Sequence, residues 1–495
     1  MSTEHAREKP ASSPTLSVCL IVKNEAERLP SAVESVKGVA TEVVVVDTGS
    51  GDDTVPVARS LGARVLEIQW QDDFSHARNA SLEAATGDWI LCLDADEKLA
   101  PGQQGKLRRL LSGRADACYV MIRSPMAGHR RGQTFVHAFQ RLFRNRPQYR
   151  YQGRVHEQIY PALSAAGARL VFSDLEIDHS GYALAPHFQE SKLRRNLELL
   201  HLDFQDRPDD GFVCYHLGET YALLGEAEKA RRCYDLALRL GNLPPGHTAS
   251  THQNLASILL RLRELDPAVE EAEEALKLNP VIPTPLLILA SALCQRGEHR
   301  SAIRTADRYL KKCRHVSRQV SGQASGQTPV LMTFEPDPAR AFLIRGESYL
   351  QLGELHEAQA DAERVITHNP EWPEGYRLLA RVAGAGDSPA RALAAVDAAI
   401  GKNPQAGLYG CQGLLRIKVG DFAAAAQSYR HLLELDPGSH EAHRRLAGLY
   451  HKMGDVSQAR EHLAEFRSMY QGPGAVAAAP FPPDPKKGRH AGNAD

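Results

Sequence analysis

Three short polar segments hold the side chains best suited to chemistry. Lys23-Asn24-Glu25 follows the apolar run Leu16–Val22, and Asp47-Thr48-Gly49-Ser50-Gly51-Asp52-Asp53 follows the valines Val43–Val46. Asp94-Ala95-Asp96-Glu97 follows Trp89–Leu93. Carboxylates placed in this way suit a divalent cation carrying a phosphorylated ligand, because hard cations commonly bind through one or two carboxylates plus substrate phosphates. Asp94 and Asp96 lie two residues apart on an extended end, a spacing that lets both face one side. Neither GxGxxG nor GxxxxGK[ST] occurs at these places, so a dinucleotide-binding turn or a P-loop is not supported.

The elements that must present these residues alternate in type. Leu16–Val22, Glu42–Val46, Arg64–Ile68 and Trp89–Leu93 read as strands, with helices over Glu25–Lys37, Asp53–Leu61 and near Ser75–Ala85. Apolar strands alternating with helices imply a parallel sheet covered on both faces. Ligands bind such sheets beyond the carboxyl ends of the strands, which is where the three polar segments fall.

From about residue 211 the sequence repeats. Alanines recur at Ala230, Ala268, Ala302, Ala358, Ala392, Ala425 and Ala459, at intervals of 38, 34, 56, 34, 33 and 34 residues. Gly225, Gly297, Gly353, Gly420 and Gly454 stand five residues before five of them, and Pro280, Pro370, Pro404 and Pro437 twelve after four. A left-handed turn residue is cheapest as glycine, a small residue lets two helices approach closely, and a proline ends the second helix. Leu217-Gly218 with Tyr221, and Arg345-Gly346 with Tyr349, supply small and aromatic positions of the first helix. The pattern resembles the tetratricopeptide (TPR) repeat, of period 34, and seven units are expected over 211–472. The long interval holds SRQVSGQASGQTPVLMTFEPD, residues 317–337, expected as an exposed loop. Around Gly384–Asp387 the turn glycine is out of place and a distorted hairpin is expected.

The segments LSVCLIVKNEAERL, VVVVDTGSGDDT, DDFSHARNASLEAATGDWILCLDADE and GRVHEQI resemble the GT-A glycosyltransferases of family 2. The nearest branch is the bacterial one containing lipopolysaccharide-core glucosyltransferases and TPR-bearing peptide S-glycosyltransferases. The resemblance implies a Rossmann-like α/β nucleotide-sugar-binding domain over 15–190, a helical linker over 191–210, and an all-α TPR solenoid. Residues 1–14 and 473–495 are expected to be disordered. It further implies an inverting, metal-dependent hexosyl transfer from a nucleotide-sugar donor, UDP-hexose, to a protein, peptide or saccharide acceptor. The repeats would recruit the acceptor or a protein partner.

By the same resemblance, Asp47 reads the nucleotide base, Arg78 contacts the donor, and Asp94 contacts the ribose. Asp96 holds Mn²⁺ or Mg²⁺, with His179 completing the metal site. The base that takes the acceptor proton is assigned to Glu157, with His156 as the second candidate. Plainer readings stand beside these: Asp47 as a helix cap, Arg78 as a surface residue, His179 as a satisfied polar residue. Between His129 and Arg154 lie seven arginines and no acid (Arg130, Arg131, Arg141, Arg144, Arg146, Arg150, Arg154). They suit either a phosphorylated ligand or the outer face of strands.

Composition narrows the partners. Of 495 residues, 43% are apolar and 24% charged, and 59 Lys and Arg against 60 Asp and Glu leave a net charge of -1. Nothing there advertises nucleic acid. The polar first fourteen residues do not read as a secretory signal, and no apolar run reaches the ~18 residues of a membrane helix. A cytoplasmic protein is expected, with docking on a membrane surface left open. The rival reading is a non-catalytic TPR scaffold whose N-terminal domain only binds a nucleotide sugar. The two halves are expected to separate at Arg207–Gly211, each with its own core.

Overall fold

The computed structural model describes residues 13–125, 134–180, 186–244, 246–319, 332–333, 337–386 and 389–470. They fall into two compact units, one ending at Ile344 and one beginning at Arg345.

The first unit begins as the sequence alternation requires: β1 (Leu16–Val22), α1 (Leu29–Ser35), β2 (Glu42–Asp47), α2 (Thr54–Ser60), β3 (Arg64–Glu67), α3 (Phe74–Ala84) and β4 (Trp89–Asp94). After these come β5 (Glu97–Leu99), α4 (Gln104–Leu111), β6 (Ala117–Pro125), β7 (Thr134–Arg144), α5 (Tyr160–Ala165) and β8 (Leu170–His179). The sheet order is β3-β2-β1-β4-β7-β6-β8-β5. Its first four strands are parallel, as expected. The rest is mixed: β7 runs antiparallel to β4 and β6, and β5 antiparallel to β8. β6 and β8 pair in parallel, so a wholly parallel sheet is corrected to a parallel half joined to a mixed one.

Alternation along the strands sorts the core. Leu16, Val18, Leu20 and Val22 face one side with Leu29 of α1 and Leu107 of α4. Cys19, Val44, Ile90 and Cys92 face the other with Leu82 of α3, Tyr149 and Tyr151. Residues two apart share a face, so each strand seals both layers.

Helix α6 (Pro186–Asp206) covers most of the stretch expected as a linker. It is packed: Leu199 and Leu200 share an apolar cluster with Val155 and with the helices that follow. Seven helix pairs come next, among the described residues. They are α7 (Gly211–Leu223) with α8 (Ala227–Leu240), α9 (His247–Arg261) with α10 (Leu265–Leu278), and α11 (Thr284–Gln295) with α12 (His299–Gln319). After strand β9 (Met332–Thr333) come α13 (Pro338–Gln351) with α14 (Leu355–His368) and α15 (Pro373–Ala385) with α16 (Pro389–Lys402). The last are α17 (Ala406–Lys418) with α18 (Phe422–Leu435) and α19 (His440–Met453) with α20 (Val456–Tyr470).

The repeat marks do what their chemistry implied. Each of the seven alanines sits in the second helix of its pair and is buried. The five turn glycines all have φ between +76° and +87°. The second repeat has Arg263 in that place, at φ +67°. Gly386, ending α15, has φ -107°, and residue 387 lies outside the described residues.

The insertion is not wholly a loop. Helix α12 continues to Gln319, and Met332 and Thr333 pair with His137 and Val136 of β7. Apart from residues 13 and 14, both termini expected to be disordered lie outside the described residues. No helix among the described residues is long and apolar enough to cross a membrane.

Candidate active site

The parallel register builds the rim. Val22 pairs with Asp47 and Ile21 with Asp94, so these two acids flank the end of β1 on either side. Strand spacing puts their backbones about 10 Å apart. Asp47 is buried, and its Oδ1 accepts hydrogen bonds from the Gly49 and Ser50 amides, both at 2.9 Å. Ser50 Oγ donates to its other oxygen. Asp47 thus shapes its own loop, while the first turn of α2 is served by Asp52, which accepts from the Thr54 amide at 3.0 Å.

A chain of charges runs from Asp94. Arg78, buried in α3, donates from Nη2 to Asp94 Oδ1 at 2.7 Å and from Nε to Glu157 Oε1 at 2.5 Å. Arg141 donates from Nη2 to Asp94 Oδ2 at 2.8 Å and to Glu97 Oε1 at 2.9 Å. Glu97 Oε2 closes the chain by accepting the Asp94 amide at 3.0 Å. Burial pushes the Asp94 carboxyl up, but Arg141 and Arg78 outweigh it and hold the group well below the usual carboxylate range. Burial raises Glu97, with Arg141 opposing.

Local structure sets this arrangement. Asp73 caps α3 by accepting the His76 amide at 3.0 Å, which fixes the first turn preceding Arg78. Asn79, the next residue, exchanges two hydrogen bonds with the Tyr151 backbone, at 2.8 and 3.0 Å. That clamp brings the segment carrying Glu157 to α3. The Tyr151 ring lies 5.5 Å from the Arg78 guanidinium carbon, adding a cation–π contact.

Asp96 and His179, distant in sequence, meet because β5 pairs with β8 and sets Glu97 opposite His179. Asp96 Oδ2 lies 3.2 Å from His179 Nε2, and His179 Nδ1 lies 2.9 Å from Ser124 Oγ. Burial lowers the His179 pKa, but the Asp96 bond and charge reverse this and raise it. No group of three or more His, Cys, Asp or Glu able to hold a metal occurs among the described residues. A carboxylate beside an imidazole still fits Mn²⁺ or Mg²⁺ when phosphate oxygens and water complete the shell.

The two candidate bases diverge. Glu157 enters the charge chain. His156 turns away, its ring stacked on His216 of α7 with centroids 4.1 Å apart and planes at 4°. Burial, with His216 and Lys192 adding to it, holds His156 well below its usual pKa, which makes it a weak base.

Sequence reasoning left Arg141 unassigned within its arginine-rich segment and gave Glu97 no role. Each described arginine of that segment is engaged within the protein. Arg144 lies over Trp89 and bonds the carbonyls of Gly113 and Ala115, and Arg146 pairs with Asp116. Arg150 donates to the Tyr149 carbonyl, and Arg154 pairs with Asp206. Arg130 and Arg131 lie outside the described residues. Among the described residues of this segment, Arg141 alone reaches the rim acids.

Residues 17–168 match the glycosyl transferase family 2, and tetratricopeptide repeat families match 213–280, 254–315, 336–407 and 416–479. The chain therefore joins a family 2 glycosyltransferase domain to tetratricopeptide repeats. It is similar to a TPR repeat-containing protein of Synechococcus elongatus, 34% identical over 268 residues, covering 53% of this chain and 66% of that one. The SPbeta prophage-derived glycosyltransferase SunS of Bacillus subtilis is 29% identical over 223 residues, covering 44% of this chain and 52% of that one. An uncharacterized glycosyltransferase of Rickettsia felis is 36% identical over 105 residues, covering 21% and 37%. The matches thus span only about half to two thirds of the first two relatives.

Proposed function

We propose that the chain transfers a hexose from UDP-hexose to a protein, peptide or saccharide acceptor, with inversion and with a divalent cation. The observation that carries this reading is the convergence of Asp96 on His179 at the same rim where Arg78 joins Asp94 to Glu157. In this reading Asp47 contacts the base and Asp94 the ribose. Arg78, which the family resemblance assigns to the donor, serves it by bracing Asp94 and Glu157.

Asp96 and His179 would hold Mn²⁺ or Mg²⁺, which when bound neutralises charge on the departing nucleoside diphosphate. Glu157 takes the proton of the acceptor as the new glycosidic bond forms. Its link to Arg78 limits the carboxylate to one orientation, which suits a base that must meet an oxygen or sulfur at hydrogen-bond distance. The helical repeats, which in solenoids present extended binding surfaces, recruit the acceptor or a protein partner.

The test is UDP release from UDP-glucose and UDP-galactose with Mn²⁺, for the wild type and Asp96→Asn. Asp96→Asn is expected to lose about a hundredfold or more, the scale of a few kcal/mol of charge stabilisation. Full activity in chelator would sink the metal assignment. Donor binding without turnover by the wild type would favour a non-catalytic scaffold.

A further inference from the structure

We propose that α6 and α7 belong to the catalytic unit, and that His216 is a positioning residue for Glu157. The inference rests on Glu157 being the base proposed above.

The loop 153–157 is held from two sides. The Arg154 amide donates to Asp203 Oδ2 of α6 at 2.9 Å, and its guanidinium reaches Asp206 at 2.7 Å. The Arg154 carbonyl accepts the amide of Phe74, the first residue of α3, at 2.8 Å. Val155 is buried with Leu199 and Leu200 of α6 and Leu217 of α7. Gln152 and Gln158 exchange backbone hydrogen bonds of 3.0 and 2.9 Å across the base of the loop.

His156 stands at the centre with φ +55°, a left-handed conformation that side-chain-bearing residues seldom adopt. Local preference does not produce that backbone, so tertiary contact must. Two contacts act on it: its carbonyl accepts from Gln158 Nε2 at 3.0 Å, and its ring stacks on His216. His216 is itself fixed: its Nδ1 lies 2.9 Å from Glu219 Oε2, and the rings of Phe212 and Tyr215 meet it edge-on at 4.4 and 5.0 Å. One peptide bond separates the residue stacked on α7 from the carboxylate that reaches Arg78. A change in the stack therefore rotates Glu157 before it disturbs anything else at the rim. This also corrects the expectation that the halves separate at Arg207–Gly211, since a cut there removes α7 from the loop it holds.

The experiment uses the full chain and water as acceptor, following UDP release from UDP-glucose and UDP-galactose in Mn²⁺ while donor affinity is measured by calorimetry. His216→Ala is expected to lower kcat about 10–100-fold with donor affinity unchanged within about twofold, the scale of a small misplacement. His216→Phe keeps a ring to stack and is expected to restore the rate to within about threefold of wild type. His156→Gly accepts the left-handed backbone without the ring, and it should match His216→Ala even if the latter folds poorly. In a Glu157→Gln background, His216→Ala should cost nothing further, because it acts through Glu157. Equal losses for His216→Ala and His216→Phe, additive losses with Glu157→Gln, or a loss confined to donor affinity would each overturn the positioning role alone. No UDP release by the wild type would overturn the transferase reading, and the positioning role with it.

Discussion

Asp94 and Asp96 share a motif, yet the structure gives them unequal weight in stability. Asp94 accepts charge-assisted hydrogen bonds from two guanidiniums that are themselves only 8% and 13% exposed. Asp94→Asn removes the negative charge between Arg78 and Arg141 and turns an amide group toward one of them. Breaking a buried pair from one side costs about 3–5 kcal/mol. Because the Asp94 side chain is 33% exposed, solvent screens part of that, and a reduced cost of about 2–3 kcal/mol is expected. The Asp96 carboxylate meets His179 at 3.2 Å, and Asp96→Asn keeps a group of the same shape there. Its expected change is below about 1 kcal/mol. Urea unfolding measures both, in a Trp372→Phe background so that Trp70 and Trp89, both in the first compact unit, report its melting. Equal destabilisation by the two variants, or none by Asp94→Asn, would refute the bracing role of the arginines.

Two further outcomes follow from packing and titration. Gly218→Ala places a Cβ 2.6 Å from the buried ring of Tyr234, so thermal unfolding should show about 1–3 kcal/mol of destabilisation, relieved by Tyr234→Leu. His137, pushed down to about 4 by burial and then by Arg141 and His179, and His156, also lowered, refuse protons that the unfolded chain accepts. Their contribution is intact above about pH 6.5 and is lost as pH falls from there toward their folded values. His137 alone removes about 1.3 kcal/mol between pH 7.5 and 5.5, and the raised pKa of His179 offsets part of this. Urea midpoints at the two pH values test it, and a first unit more stable at pH 5.5 would contradict the sign.

The rim was legible because its strands are mostly apolar and each gives way abruptly to polar or acidic residues, a pattern that needs no tertiary knowledge. The repeats were legible for a related reason. A turn that needs positive φ selects glycine, and an interhelical contact selects alanine, so both leave marks at fixed spacing. Arg263 shows where this ends: the backbone keeps the left-handed turn while the residue that announced it elsewhere is gone. Arg141 was hidden for another reason. It reaches Asp94 only because β7 pairs antiparallel with β4 at Leu91 and Leu142, and no local pattern encodes which strand lies beside which. The divergence of His156 from Glu157 was equally hidden, since adjacent residues sent to opposite sides depend on what packs against each.

The charge chain also bears on why the proposed transfer would call for a cation. Glu157, Asp94 and Glu97 against Arg78 and Arg141 leave one net negative charge among groups joined by hydrogen bonds. Asp47 and Asp96 add two more at the same rim. Both arginines are already committed to carboxylates, so neither offers a diphosphate an uncompensated positive charge without breaking a buried pair. Bringing a nucleoside diphosphate to this rim therefore sets like charges together in partly buried surroundings, where screening is weak. A divalent cation held by Asp96 and His179 would offset that repulsion without disturbing Arg78 or Arg141. On this reasoning the arginines brace the carboxylates, a cation would serve the donor, and chelator should weaken donor binding as well as turnover.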